Sequence, residues 1–194
     1  MHVKKKIVLI IITVALVAVG FYYWQNKFEN PASILKETDT KEIYQSGTTT
    51  ESIKNISNYK YTEKYSHPTK KFSFNYPKGF TIASIPDEKT ETIVVQNITT
   101  KVALQISISP FQNADIDITS EIIKNEIPDM KIDGAREFQI GPSRKGLAFI
   151  SDNPAFGGKS SEIWFVFKGN LYQISTYYEF RDFLQGTFST WKFE

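Results

Sequence analysis

The sequence predicts an α+β fold, a mostly antiparallel β-sheet flanked by helices, preceded by a single N-terminal transmembrane helix. Three observations carry this. Apolar and polar residues alternate in short runs through residues 71–109 and again through 137–177, the two-residue period of half-buried strands. Between the two blocks, in ITSEIIKNEIP, the period switches to that of a helix. One long run, from Ile7 to Trp24, is almost wholly apolar and follows Lys4, Lys5 and Lys6.

The apolar run comes first in the chain. A spanning helix needs about 20 mostly apolar residues, and no charge lies between Ile7 and Asn26. The backbone must close its own hydrogen bonds in hydrocarbon, so the run is read as a helix. The lysines precede it and no comparable basic cluster follows closely. The positive-inside bias therefore places residues 1–6 in the cytoplasm and the rest of the chain outside the cell membrane. Phe21, Tyr22, Tyr23 and Trp24 close the run as an interfacial aromatic belt. The alternative is a signal peptide cleaved near Ala18-Val19-Gly20, which would release a secreted domain.

Composition bounds the chemistry. The chain has 194 residues and a formal net charge of +2. Setting aside the three leading lysines leaves the remainder near neutral, so the basic balance is no argument for nucleic-acid binding. The absence of cysteine excludes disulfides, thiol catalysis and cysteine-ligated zinc. An exported domain of this kind must be held by its core alone. Aromatic residues make up 14% of the chain and gather toward its carboxyl end, which suits a β-rich core.

Residues 25–65 are rich in Thr, Ser, Asn, Lys and Glu and are read as a flexible polar linker. Some 40 residues of coil would reach on the order of 35 Å. The extracytoplasmic α+β domain is expected from Ser66 to Glu194.

Its first strand is KFSFNYP, with Phe72, Phe74 and Tyr76 on one face and Ser73 and Asn75 on the other. Tyr76-Pro77-Lys78-Gly79 reads as a type I turn, with Pro second and Gly fourth. Strands at residues 80–85, 92–97 and 101–109 follow. In the last, Val102, Leu104, Ile106 and Ile108 oppose Gln105, Ser107 and Ser109, and Pro110 closes the strand. Ile118, Ile122, Ile123 and Ile127 share a helical face, with Thr119 as N-cap, an Ile118–Ile123 staple and Pro128 as the stop. Three more strands are expected at residues 137–140, 146–151 and 162–167. Lys168-Gly169-Asn170 then turns the chain into a hairpin strand at 171–177. Phe180, Phe183, Leu184 and Phe188 define a closing helix that Gly186 weakens.

The aromatic strand entering the Tyr-Pro-x-Gly turn, residues 72–80, resembles the opening of the PsbP-like domain family. The Lys168-Gly169-Asn170-Leu171-Tyr172 hairpin and the ending Leu184…Phe188-Ser189-Thr190-Trp191-Lys192-Phe193 are similar to later parts of that family. The resemblance covers about residues 66–194 and implies an antiparallel sheet between helices. Phe80 stands where the family commonly has Trp. The anchor and polar spacer resemble exported PsbP-related bacterial proteins. The matched positions are core and turn positions, so the resemblance brings no functional residue with it.

Catalytic sets are incomplete. Ser57-Asn58-Tyr59-Lys60 and Ser151-Asp152-Asn153 match two penicillin-binding motifs, but the Lys-Thr-Gly motif is missing. His67 is the sole histidine beyond the tail and no nucleophile elbow accompanies it. Gly141-Pro142-Ser143-Arg144-Lys145-Gly146 has the end spacing of a phosphate loop without the following Lys-Ser/Thr, which leaves a turn with an exposed basic pair. Asp115-x-Asp117-x-Thr119 hints at calcium but lacks the full loop pattern. Asn55-Ile56-Ser57 and Asn97-Ile98-Thr99 match the glycosylation acceptor pattern. No catalytic residue, metal ligand or cofactor is assigned.

The remaining candidates are aromatic. Ile163, Phe165 and Phe167 suit one face of their strand, and Trp164 projects with Glu162 on the other. Trp164, Tyr177, Tyr178 and Trp191 are the candidate partner-binding residues; for Trp164 a second buried face under a helix is the competing account. The expected function is a membrane-tethered, extracytoplasmic binding or accessory module. Its partners are the lipid bilayer, through the anchor ending at Ile7 and Trp24, and a protein or envelope polymer, with no nucleic acid. The alternatives are a hydrolase of envelope polymers using two of Asp115, Asp117, Glu121, Asp152 and Glu162, and a subunit of a surface assembly.

Overall fold

Among the described residues the chain forms ten strands and two α-helices; eight of the strands and both helices follow from these patterns, and the short strands Glu63–Ser66 and Lys192–Phe193 do not. The structure, a computed structural model, describes residues 59–113, 116–140 and 144–194. The tail, the apolar run and most of the spacer lie outside the described residues. Among the described residues, no helix is long and apolar enough to cross a membrane.

The strands are β1 (Glu63–Ser66), β2 (Phe72–Tyr76), β3 (Thr81–Pro86), β4 (Glu91–Asn97), β5 (Val102–Pro110), β6 (Asp133–Ile140), β7 (Arg144–Ser151), β8 (Ser160–Phe167), β9 (Asn170–Tyr177) and β10 (Lys192–Phe193). Helix α1 is Ser120–Glu126 and α2 is Arg181–Ser189. Strands β3 to β9 form one seven-stranded sheet in the order β3-β4-β5-β9-β8-β7-β6, and β1, β2 and β10 form a second. Every pairing is antiparallel. Two meanders thus meet where β9 returns beside β5. This is the α+β, antiparallel arrangement that hairpin-length connections require.

The large sheet is apolar on both faces. Ile93, Leu104, Ile106, Phe165, Tyr172 and Ile174 face a core closed by β2 and by Phe183 and Leu184 of α2. Leu147, Phe149, Trp164, Val166 and Leu171 face a second core closed by Ile118 and Ile123 at α1. Thr119 caps α1 as its position before the isoleucines predicts: its hydroxyl accepts from the Ile122 N–H at 3.3 Å. The helix ends at Glu126, two residues before Pro128. Lys168 and Gly169, at φ of 47° and 72°, make the two-residue loop between β8 and β9, where Phe167 pairs with Asn170.

Several details differ from expectation. The packed chain starts before Ser66. Tyr59 lies edge-on to Phe80 and Phe183, and Tyr61 donates to the Phe183 carbonyl at 3.4 Å. An exposed-looking polar stretch therefore contributes tyrosines to the first core. They also explain Gly186: a Cβ there would stand 2.0 Å from the Tyr61 hydroxyl, so the glycine admits a neighbour. Finally, the turn after β2 is displaced by one residue. The Phe80 N–H reaches the Pro77 carbonyl at 3.4 Å and Gly79 has φ of 88°, the third position of a type II turn.

Candidate functional site

The most unusual residue of the second core is an acid. Along β8, Ile163 and Phe165 enter the first core, so the pleat sends Glu162 and Trp164 to the other side. Glu162 pairs with Phe149 on β7 and Ser175 on β9 and is 0% exposed. Four donors converge on its carboxylate. Ser160 Oγ donates to Oε1 at 2.6 Å and Asn153 Nδ2 at 3.3 Å. Trp164 Nε1 donates to Oε2 at 3.2 Å, and Ser175 Oγ donates to the same oxygen. A carboxylate offers about four acceptor positions, so the set is complete. Burial pushes the Glu162 carboxyl above its ordinary range, and the four hydrogen bonds pull against that rise. Sealed in this way, the acid meets no substrate. It fixes the loop that Asn153 belongs to.

That loop joins β7 to β8. Asn153 uses its other side-chain atom, Oδ1, to accept from the Ala155 N–H at 3.1 Å, which starts the 3-10 turn Pro154–Phe156. The turn places Phe156 edge-on against Tyr177, with ring centroids 5.1 Å apart. Tyr177 is 38% exposed and also meets Phe180 at 6.0 Å. The next residue, Tyr178, is held by its N–H to the Lys159 carbonyl at 3.1 Å. Two cations face its ring: Arg181 at 4.7 Å and Lys159 at 6.0 Å from the centroid. The result is a half-buried to exposed aromatic cluster of Phe156, Tyr177 and Tyr178 with a basic rim, next to the loop that Asn153 ties to Glu162.

The four aromatic candidates divide. Tyr177 and Tyr178 lie in this cluster. Trp164 is only 6% exposed and packs edge-on to Phe149 at 5.6 Å, so it belongs to the second core beneath α1. Trp191 is half-buried, stacked on Phe72 at 4.5 Å, and its indole N–H finds no acceptor among the described residues. For Trp164 the competing account holds, a second sheet face buried under a helix. The anchor ends, Ile7 and Trp24, lie outside the described residues.

His67 is buried, with both ring nitrogens committed. Nδ1 accepts from the Thr69 and Lys70 N–H groups at 3.2 and 3.0 Å, which leaves the proton on Nε2, 2.9 Å from Glu91 Oε2. No nitrogen remains to act as a base, so the residue closes the β1–β2 turn. The acidic candidates also have separate partners. Asp117 accepts from the Lys145 N–H at 2.9 Å. Asp152 is held below the usual carboxylate range, chiefly by the Lys131 N–H, and pairs with that lysine's ammonium at 3.4 Å. Glu121 is exposed in the first turn of α1, and Asp115 lies outside the described residues. Among the described residues, no group of three or more acidic or histidine side chains could hold a metal. Of the expected turn with a basic pair, residues 141–143 lie outside the described residues; Arg144 and Lys145 open β7, with Lys145 exposed and bridged to Glu137 at 2.8 Å.

A pocket of about 20 Å³ lies under α1, lined in part by Phe111, Ile118, Ile122 and Trp164. It has room for about one water and is far below the size of a small-molecule site. Sequence reasoning missed Glu162 as an anchor, together with Phe156, Lys159 and Arg181. One signal was available: a lone acid within the strand SSEIWFVF, otherwise apolar past its serines.

No protein-family model matches the chain, and no curated protein matches it. Among solved structures, it is similar to the solution structure of cyanobacterial PsbP (CyanoP) from Synechocystis sp. PCC 6803. The TM-score is 0.48 and the sequence identity 10%, over 68% of this chain and 92% of that one.

Proposed function

We propose that the chain is a membrane-tethered, extracytoplasmic PsbP-like module with a non-enzymatic binding or accessory role. Its contact surface is the cluster of Phe156, Tyr177 and Tyr178, and its ligand is a polymer of the cell envelope. The observation that carries the binding role is the exposed Tyr177, flanked by half-buried Phe156 and Tyr178 and by two cations. Lys159 and Arg181 stand over Tyr178, and Phe156, in the loop that Asn153 ties to Glu162, packs edge-on against Tyr177. Flat aromatic rings stack on sugar faces, and the cations suit acidic groups along such a chain. The tether rests on the uncharged run from Ile7 to Trp24 behind three lysines. The PsbP-like reading rests on the Pro77-Lys78-Gly79 and Lys168-Gly169 turns and on the aromatic ending at Trp191 and Phe193.

The test is cosedimentation of the full chain, in detergent, with insoluble cell-wall glycan from the host. Binding by the wild type and a tenfold or larger loss in Tyr177→Ala/Tyr178→Ala is the expected result. Tenfold corresponds to about 1.4 kcal/mol. No sedimentation of the wild type, or equal sedimentation of both, contradicts the reading.

A further inference from the structure

The two edges of the seven-stranded sheet are built differently. An edge strand offers unpaired N–H and C=O groups to any passing strand, and proteins blunt such edges with charges and bulges. Edge β6 carries these defences: Asp133, Arg136 and Glu137, a register shift between Asp133 and Arg136, and a salt bridge from Glu137 to Lys145. Edge β3 carries none of them within the strand. Its sequence is TIASIP, without a charge; its pairing with β4 is regular; and Ile85 is 45% exposed. Five of its six residues are exposed, and among the described residues it is paired on the β4 side alone. Pro86, at its end, is the single feature that limits pairing.

We infer that β3 is an interface for a second copy of this chain, paired antiparallel to itself across a two-fold axis at Ala83. The charges that flank the strand select this occupant. Antiparallel pairing about Ala83 sets the Lys78 end of one copy beside the Glu88 end of the other, and the two-fold repeats the contact. The turn after β3 is Asp87-Glu88-Lys89, with a net charge of −1, and the turn before it contributes Lys78. Both are exposed. In this register Ile82 faces Ser84 and Thr81 faces Ile85, so side chains of one face meet their own face. Shifting the centre to Ile82 or Ser84 loses the Lys78–Glu88 match. A six-residue edge buries little area, so the dimer is weak and concentration-dependent. This inference is independent of the proposed ligand.

The cysteine-free chain allows a direct test. Paired residues at a two-fold have Cα atoms about 4.5–5.5 Å apart, within reach of a disulfide. The full chain carrying Ala83→Cys, in detergent and treated with copper phenanthroline, is expected to form a disulfide dimer. Gln139→Cys, on the defended edge, is expected to give at least tenfold less. Lys78→Glu should lower the Ala83→Cys yield severalfold, and adding Glu88→Lys should restore it. Ala83 is exposed, so these variants are expected to keep the wild-type circular dichroism, which is measured alongside. Equal yields at the two edges, or a yield that ignores charge reversal, would overturn the interface. A dimer that persists by light scattering in Ala83→Lys would do the same.

Discussion

Replacing Glu162 with alanine is expected to lower stability by about 3–5 kcal/mol, the scale of breaking a buried charged network from one side. The cost comes from the donors left behind. Trp164 Nε1 and the Ser160 and Ser175 hydroxyls lie where water does not reach, and each lost partner costs about 1–3 kcal/mol. Asn153 is half-buried and can turn to solvent, so part of the cost is recovered at the loop. Glu162→Gln separates shape from charge. Asn153 is an obligate donor on one carboxylate oxygen and Trp164 on the other, so the glutamine NH2 confronts an N–H in either orientation. It too is expected to destabilise, by about 1–3 kcal/mol.

The two proteins differ in pH dependence. Burial raises the Glu162 carboxyl above its ordinary value of 4.5. Between the unfolded and the folded values the native state therefore holds the extra proton, and stability falls as pH rises through that window. Wild type should show this decline in chemical denaturation above about pH 4.5, and Glu162→Gln should lack it. The gap between them then narrows with rising pH. A gap that widens, or a wild-type profile matching the glutamine variant, would remove Glu162 as the buried titrating group.

The second large effect is expected at Gly146, where a methyl group should cost about 1–3 kcal/mol. A Cβ there would stand 2.5 Å from the Phe138 ring and 2.9 Å from the Phe165 Cβ. Phe138 is half-buried on edge strand β6 and can swing aside. Phe165 cannot: it is fully buried and stacked on Tyr172 at 4.8 Å, and its Cβ moves only with the backbone of β8. In urea titration, Gly146→Ala should shift the midpoint downward with an unchanged slope. Adding Phe138→Leu should return part of the loss, because half the collision is with that ring. An unshifted midpoint in the single variant would show that β7 and β8 are not packed as closely as described.

The strands were legible because alternation records which face is buried. In β5, Val102, Leu104, Ile106 and Ile108 are all buried on the face the period assigns to them. The α1 cap was legible because Thr119 stands immediately before the isoleucine stripe. Long-range partners were not. Gly146 reads locally as part of a loop motif, and Gly186 as a weak point in a helix; each is explained by a side chain distant in sequence or across the sheet. The Glu162 donors come from a loop, from β8 and from β9, and no single window contains them. Tyr59 and Tyr61 sit in a stretch whose average polarity hides two tyrosines that pack on α2. Of the aromatic candidates, exposure separates Tyr177 from Trp164, and exposure depends on what α1 covers.

The direction of the chain across the membrane is the claim on which the proposed function depends, and single-cysteine labelling tests it most directly. Gly158 is exposed, and an added Cβ there meets nothing within 4 Å, so Gly158→Cys gives one accessible thiol in an otherwise cysteine-free chain. Val3→Cys marks the opposite end. With a membrane-impermeant maleimide, Gly158→Cys is expected to label in intact cells and Val3→Cys only after permeabilisation. Labelling of Gly158→Cys only after permeabilisation would place the domain in the cytoplasm and contradict the account.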